Sequence, residues 1–265
     1  MIAKLHRLLR AKPTRALPAV PAGTRVYAVG DVHGRRDLFD AMIAAIEADD
    51  AARGAADTTV VLLGDLVDRG PDSAGVISAA RDWQARRNVR IIAGNHEEMF
   101  LESFTKLDVL RRFLRYGGRE TVLSYPVNKA EYTAASLSEA QLLMRRAVPA
   151  EDLSFIRSFE DRIIIGDYLF VHAGIEPGIP ANEQSLSDLR WIREPFLSHS
   201  GDHGHIVVHG HTIFDAADVQ SNRIGIDTGA FASGLLTALC LEGDARRLIE
   251  VREEDGSIAA SVRPA

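Results

Sequence analysis

Short apolar runs recur along the chain, and each ends abruptly on a polar residue. Val26-Tyr27-Ala28-Val29-Gly30 runs into Asp31, and Thr59-Val60-Val61-Leu62-Leu63-Gly64 runs into Asp65. Val89-Arg90-Ile91-Ile92-Ala93-Gly94 meets Asn95 and His96, Tyr168-Leu169-Phe170-Val171 meets His172, and Ile206-Val207-Val208 meets His209-Gly210-His211. Runs of this length, rich in β-branched residues, predict buried strands. Residues 36–48 and 73–86 read as helices between the first of them. Strands alternating with helices predict an α/β sandwich. In such folds ligands collect at the carboxyl ends of strands. Here five strand ends carry side chains that bind metals.

Two regions leave this rhythm. Residues 97–159 read as mostly helical, and Ser136 and Glu139 have capping-box spacing before the helical run 140–147. This stretch, about 97–160, is expected to be a helical insertion beside the site. Beyond Arg162 strands dominate. Residues 162–166 and 168–172 flank Gly166-Asp167, a predicted hairpin turn, and 224–227, 235–241 and 248–252 are further strands. A second sheet follows. The expected organisation is a basic, proline-rich arm at 1–24, one domain at 25–252 and a frayed tail at 253–265.

Composition narrows the chemistry. The 265 residues carry a net charge of −6 with only 6% aromatics, so neither a basic stripe nor a stacking platform for nucleic acid is expected. No apolar run reaches the roughly 18–20 residues of a membrane span. The arm holds Lys4, Arg7, Arg10, Lys12 and Arg15 but lacks the apolar core of a signal peptide. The single cysteine, Cys240, excludes an internal disulfide and a multi-cysteine metal site, and points to a reducing, cytoplasmic setting. Any metal must be held by histidine, carboxylate and amide oxygen.

Taken singly, an Asp at the start of a helix is an ordinary cap. Gly30-Asp31-Val32-His33-Gly34, Gly64-Asp65-Leu66-Val67-Asp68-Arg69-Gly70, Gly94-Asn95-His96-Glu97, His172-Ala173-Gly174 and Gly210-His211-Thr212 are another matter together. A buried Asp needs a partner, and several such clusters at strand ends imply a shared one. In this order the motifs resemble the calcineurin-like metallophosphoesterase superfamily, over residues 26–241. Asp68-Arg69 and Glu97 resemble the bacterial and phage branch of the serine/threonine phosphoprotein phosphatases. Related dinucleoside tetraphosphate hydrolases usually have Asp at the position of Glu97 and tend to lack the acid at Asp68.

The resemblance implies two mixed β-sheets flanked by helices and a binuclear metal centre. Asp31 and His33 would bind one metal, Asp65 would bridge, and Asn95, His172 and His211 would bind the other. The ions would be manganese, with iron or zinc as alternatives. A bridging hydroxide would attack a phosphomonoester in line. Arg69, Asn95 and Arg193 would grip the phosphate, and His96, oriented by Asp68, would protonate the leaving group. The implied substrate is a phosphorylated protein or peptide, at Ser, Thr or Tyr. The alternative is a dinucleoside polyphosphate or broader phosphoester; a non-enzymatic scaffold is disfavoured because no ligand is missing. His209 is expected as a buried neighbour of the site, His199, His203 and His205 as a solvated loop on the site's side, His6 as part of the arm, and Cys240 as a core residue. Nothing in the sequence indicates oligomeric state.

Overall fold

Alternate residues of the first apolar run face opposite ways in the computed structural model, which describes residues 17–265. Tyr27 and Val29 join one apolar cluster, Val26 and Ala28 another. Val60 and Leu62 divide from Val61 and Leu63 in the same way. Strands buried on both faces require a layer on each side, and that requirement sets the architecture.

The strands are β1 (Thr24–Val29), β2 (Asp57–Leu62), β3 (Val89–Ile91), β4 (Ile163–Ile165), β5 (Tyr168–Phe170), β6 (Ile206–His209), β7 (Asp218–Val219), β8 (Arg223–Gly225), β9 (Leu235–Glu242), β10 (Ala245–Glu254) and β11 (Ser257–Pro264). They form a six-stranded sheet, β11-β10-β9-β1-β2-β3, and a five-stranded sheet, β4-β5-β6-β8-β7. Within the first, β1, β2 and β3 are parallel. Within the second, β5, β6 and β8 are parallel. Both sheets are therefore mixed, as expected.

The helices are α1 (Arg36–Ala51), α2 (Ser73–Gln84), α3 (Asn95–Ser103), α4 (Leu107–Phe113), α5 (Arg119–Ser124), α6 (Lys129–Ala134), α7 (Leu137–Ala147), α8 (Ala150–Arg157), α9 (Leu186–Trp191) and α10 (Ala230–Ser233). Leu38, Phe39, Met42 and Ile46 of α1 and Val76, Ile77, Ala80 and Trp83 of α2 cover the outer face of the first sheet. That spacing marks an amphipathic helix. The inner faces of the sheets meet through Val26, Ala28, Val61, Tyr168, Phe170, Val208, Ile224 and Leu239. Leu189, Ile192 and Phe196 cover Leu169, Val171 and Val207 on the far side. Helices α3 to α8 occupy the stretch read as helical, and Ser136 and Glu139 form the expected capping box at α7. Among the described residues no helix is long and apolar enough to cross a membrane.

Three differences from the sequence reading have physical causes. Residues 253–265 are not frayed: β10 runs to Glu254, and β11 returns antiparallel to it along its whole length. The signal was Asp255-Gly256, both at positive φ (51° and 75°), the requirement of a tight hairpin turn. It was masked because β11 is exposed on both faces and carries only a short, weakly apolar stripe. Second, much of the arm, with its basic residues and His6, lies outside the described residues, but its proline-containing end docks. Val20 is buried, Asp167 accepts from the Ala19 N–H, and Tyr168 donates to the Pro18 carbonyl. Third, residues 198–205 are not on the site's side. They lead into the amino end of β6, and Asn222, at the start of β8, donates to the His199 and Gly201 carbonyls. The site lies at the other end of these strands.

Candidate metal centre

The carboxyl ends of both parallel trios meet. From the first sheet come Asp31 and His33 after β1, Asp65 after β2 and Asn95 and His96 after β3. From the second come His172 after β5 and His211 after β6. All are buried. His33, Asp65, Asp68, Arg69 and His211 take positive φ (46°, 50°, 75°, 70° and 64°), a conformation that costs energy in residues with a side chain. The loops are over-determined to hold it. Glu97 accepts from the backbone N–H groups of Asp65 (2.9 Å), Leu66 (2.7 Å) and Gly94 (2.9 Å). Asp65 Oδ1 in turn accepts from the His96 N–H at the amino end of α3 (3.0 Å). Gly94 is required there: a Cβ would stand 2.1 Å from Asp65 Oδ1.

Asp65 is the hub. Its Oδ2 lies 3.5 Å from His33 Nε2, 3.4 Å from His172 Nε2 and 3.9 Å from His96 Nε2. The Nδ1 atoms of His33 and His172 donate to the carbonyls of Val67 and Leu63, each at 2.8 Å. Those bonds fix the ring orientations and point both Nε2 atoms toward Asp65, the orientation found in metal-ligating histidines. Asn95 Oδ1 lies 2.9 Å from His172 Nε2 and 2.8 Å from His211 Nδ1. His211 Nε2 is buried without a partner. Lone pairs from Asp65, Asn95 and His172 thus converge on one small space and need a positive charge between them. Two groups, His33–Asp65–His96 and Asp65–His172–His211, bring one ligand atom each within 4.8 Å of the others. The nitrogen and oxygen donors suit divalent transition metals. The residues present fit a binuclear centre sharing Asp65.

The charges follow the same geometry. Burial pushes the Asp65 carboxyl up, but the imidazoles of His172, His96 and His33 prevail and hold it well below the usual range. Burial and the nearby carboxylates of Asp227 and Asp65 push Asp31 well up. Burial, with His172 close by, lowers His211 to about 3. His96 is lowered by burial, yet the carboxylates of Asp65 and Asp68 outweigh that and raise it. Its Nδ1 sits 2.6 Å from Asp68 Oδ2, and Thr121 Oγ1 donates to Asp68 Oδ1 at 2.6 Å. Arg69 donates to His33 Nε2 (2.8 Å) and His96 Nε2 (3.0 Å), with its guanidinium 4.7 Å from the Phe231 ring centre. Arg193 is exposed at the rim, its Nη2 3.5 Å from the His211 carbonyl.

His211, not His209, joins the cluster. The His209 ring packs against Phe196 and Phe214, with Nε2 3.4 Å from Arg223 Nη1. Asp31 stands outside both compact groups. It accepts from the His211 N–H (3.1 Å) and faces Asp227, a buried acid that the sequence reading passed over as the end of a strand. Its signal was the junction pattern itself: Ile224-Gly225-Ile226 also runs straight into an acid.

Several known proteins are similar to this chain. The chain is 26% identical to a zinc-dependent endopolyphosphatase of Saccharomyces cerevisiae, over 83% of this chain and 76% of that protein. It is 27% identical to the asymmetrical bis(5'-nucleosyl)-tetraphosphatase PrpE of Bacillus velezensis (79% and 86%), and 28% identical to serine/threonine-protein phosphatase 1 of Salmonella typhimurium (80% and 89%). A solved cold-active protein tyrosine phosphatase shares the fold, with a TM-score of 0.57 at 20% identity over 91% of this chain and 81% of that one. Residues 24–232 match the model of the calcineurin-like phosphoesterases, and the chain belongs to that metallophosphoesterase family.

Proposed function

We propose that the chain is a phosphoprotein phosphatase that hydrolyses phosphomonoesters, with Asp31, His33, Asp65, Asn95, His172 and His211 holding two divalent cations, manganese before iron or zinc. The observation that carries this reading is the His96–Asp68 pair, whose 2.6 Å contact keeps a proton on an imidazole beside the centre. Two bound cations would supply Lewis acidity and lower the pKa of a water for in-line attack. The protein's own groups do the rest. Arg69 exchanges its imidazole contacts for two phosphate oxygens, a fork geometry suited to bidentate grip. Asn95 offers its amide to the same phosphate, and Arg193 closes on it from the rim. As the phosphorus–oxygen bond breaks, the seryl oxygen takes the proton from His96 Nε2, and Asp68 stabilises the imidazole through the change.

An alkoxide is a poor leaving group and needs that proton; an aryloxide or a phosphate needs it far less. His96→Ala is therefore expected to lower kcat on a phosphoserine peptide by roughly 10²–10⁴-fold and to affect an aryl phosphate much less. Equal losses on both substrates would remove His96 as the acid. Manganese, iron and zinc added singly to metal-stripped protein would rank the cations.

The second reading is cleavage of a phosphoanhydride, and it is supported by the likeness to PrpE and to the endopolyphosphatase. Diadenosine tetraphosphate and polyphosphate assayed beside a phosphopeptide decide between them. Turnover of the anhydrides alone, unaffected by His96→Ala, would favour the second.

A further inference from the structure

Asp227 has no part in the chemistry above. It lies one residue beyond Ile226, at the carboxyl end of β8, beside the strand end that delivers His211. Its side chain is 1% exposed. Oδ1 accepts the Gly229 N–H at 2.9 Å, while Oδ2 is buried with no hydrogen-bond partner. The carboxylate faces Asp31, with Asp65 and His172 also within electrostatic reach. Its backbone is pinned as well, the carbonyl accepting from the Phe214 N–H at 3.0 Å. The Asp31 carboxylate accepts from the His211 N–H, at 3.1 and 3.3 Å to its two oxygens. Two buried carboxylates this short of donors must share a proton or take a cation between them.

We propose that Asp227 is a further metal-site residue, its free Oδ2 serving the cation at the Asp31–His33 position. The inference rests on the binuclear reading and deepens it, because it makes the two positions unlike. The first is rich in carboxylate: Asp31, Asp65 and Asp227 with one imidazole, His33. The second is rich in nitrogen: His172 and His211 with Asn95 and the shared Asp65. Carboxylate-rich sets favour harder cations such as manganese, and imidazole-rich sets favour zinc. The centre would take a different metal at each end.

The test is calorimetric titration of the metal-stripped full chain with manganese and with zinc. Wild type is compared with Asp227→Asn, which keeps the oxygen that accepts from Gly229. The variant is expected to lose roughly 10–100-fold in affinity for manganese at one position. Zinc binding at the other position should be unchanged. The metal-free variant should melt no lower than wild type, because a repulsion has been removed. Asp227→Ser, uncharged and still an acceptor, should behave alike and serves if the amide fails to fold. Unchanged manganese affinity with a lowered metal-free Tm would overturn the proposal and leave Asp227 as a loop cap. Wild type taking up neither cation would overturn the binuclear reading itself, a separate result.

Discussion

His209 and His211 stand two residues apart on one strand end and meet opposite surroundings. His211 turns toward Asn95 and Asp65; His209 turns into an apolar slot beside Phe196 and Phe214. Burial, with Arg223 close by, lowers His209 to about 4 from an ordinary 6.5. Between those values the unfolded chain binds a proton that the folded chain refuses. The stability tied to His209 is therefore fully present above pH 6.5 and is lost as the pH falls toward 4. At pH 4.5 the loss is roughly 2–3 kcal/mol relative to neutral pH. Denaturant melts of metal-stripped protein at pH 7 and 4.5 check this. His209→Gln should show a smaller acid loss by about that amount, and identical losses would refute the assignment. The sequence supported His211 over His209 only through the family motif, since spacing allowed either. Glu97 was legible as a branch marker but not as the brace of the Asp65 loop. Its four backbone bonds, to the N–H groups of Asp65, Leu66, Val67 and Gly94, depend on a left-handed turn that no propensity announces.

Helices α4 and α5 reach the chemistry through the short turn between them. The Gly117 carbonyl accepts the Arg69 N–H at 3.1 Å, and a Cβ on Gly117 (φ 109°) would stand 2.7 Å from Arg69. Thr121 accepts from the Asp68 N–H at 2.8 Å as well as donating to its carboxylate. The α4–α5 turn and Thr121 thus clamp the Asp68-Arg69 turn. Thr121→Val removes the hydroxyl at nearly constant volume and leaves the buried Asp68 carboxylate short of a donor, while the Asp68 N–H keeps Ser73 Oγ at 3.0 Å. We expect about 1–3 kcal/mol of lost stability, together with a larger fall in kcat for phosphoserine peptide than for aryl phosphate. Denaturation midpoints and the two assays read these separately; equal falls on both substrates would show that the hydroxyl does not act through His96. The insertion's helical character was legible from its pattern, but this contact was not, because it joins residues 53 apart in the chain. The short elements α9, α10 and β7 escaped for a simpler reason: two to six residues are too few to show a period.

At the scale of the whole molecule, the double burial of β1 and β2 announces two packed layers, and that much the apolar runs foretold. What they could not foretell is that the parallel trio of each sheet points its carboxyl end at the same place. Asp31, His33, Asp65 and Asn95 belong to one sheet; His172 and His211 belong to the other. A cation held by both sets would tie the sheets together at an edge where buried like charges otherwise push them apart. Binding to the folded form alone at about 100 times Kd adds roughly 2.7 kcal/mol. For a domain of this size that corresponds to a rise in Tm of roughly 5–10 °C. Melting curves of chelator-stripped protein with added manganese should show the rise. Amide exchange should slow most at Val171–His172 and His209–His211, where the second sheet meets the first. A metal that restores hydrolysis without raising Tm or protecting those amides would act within one sheet only, and the cross-sheet tie would be wrong.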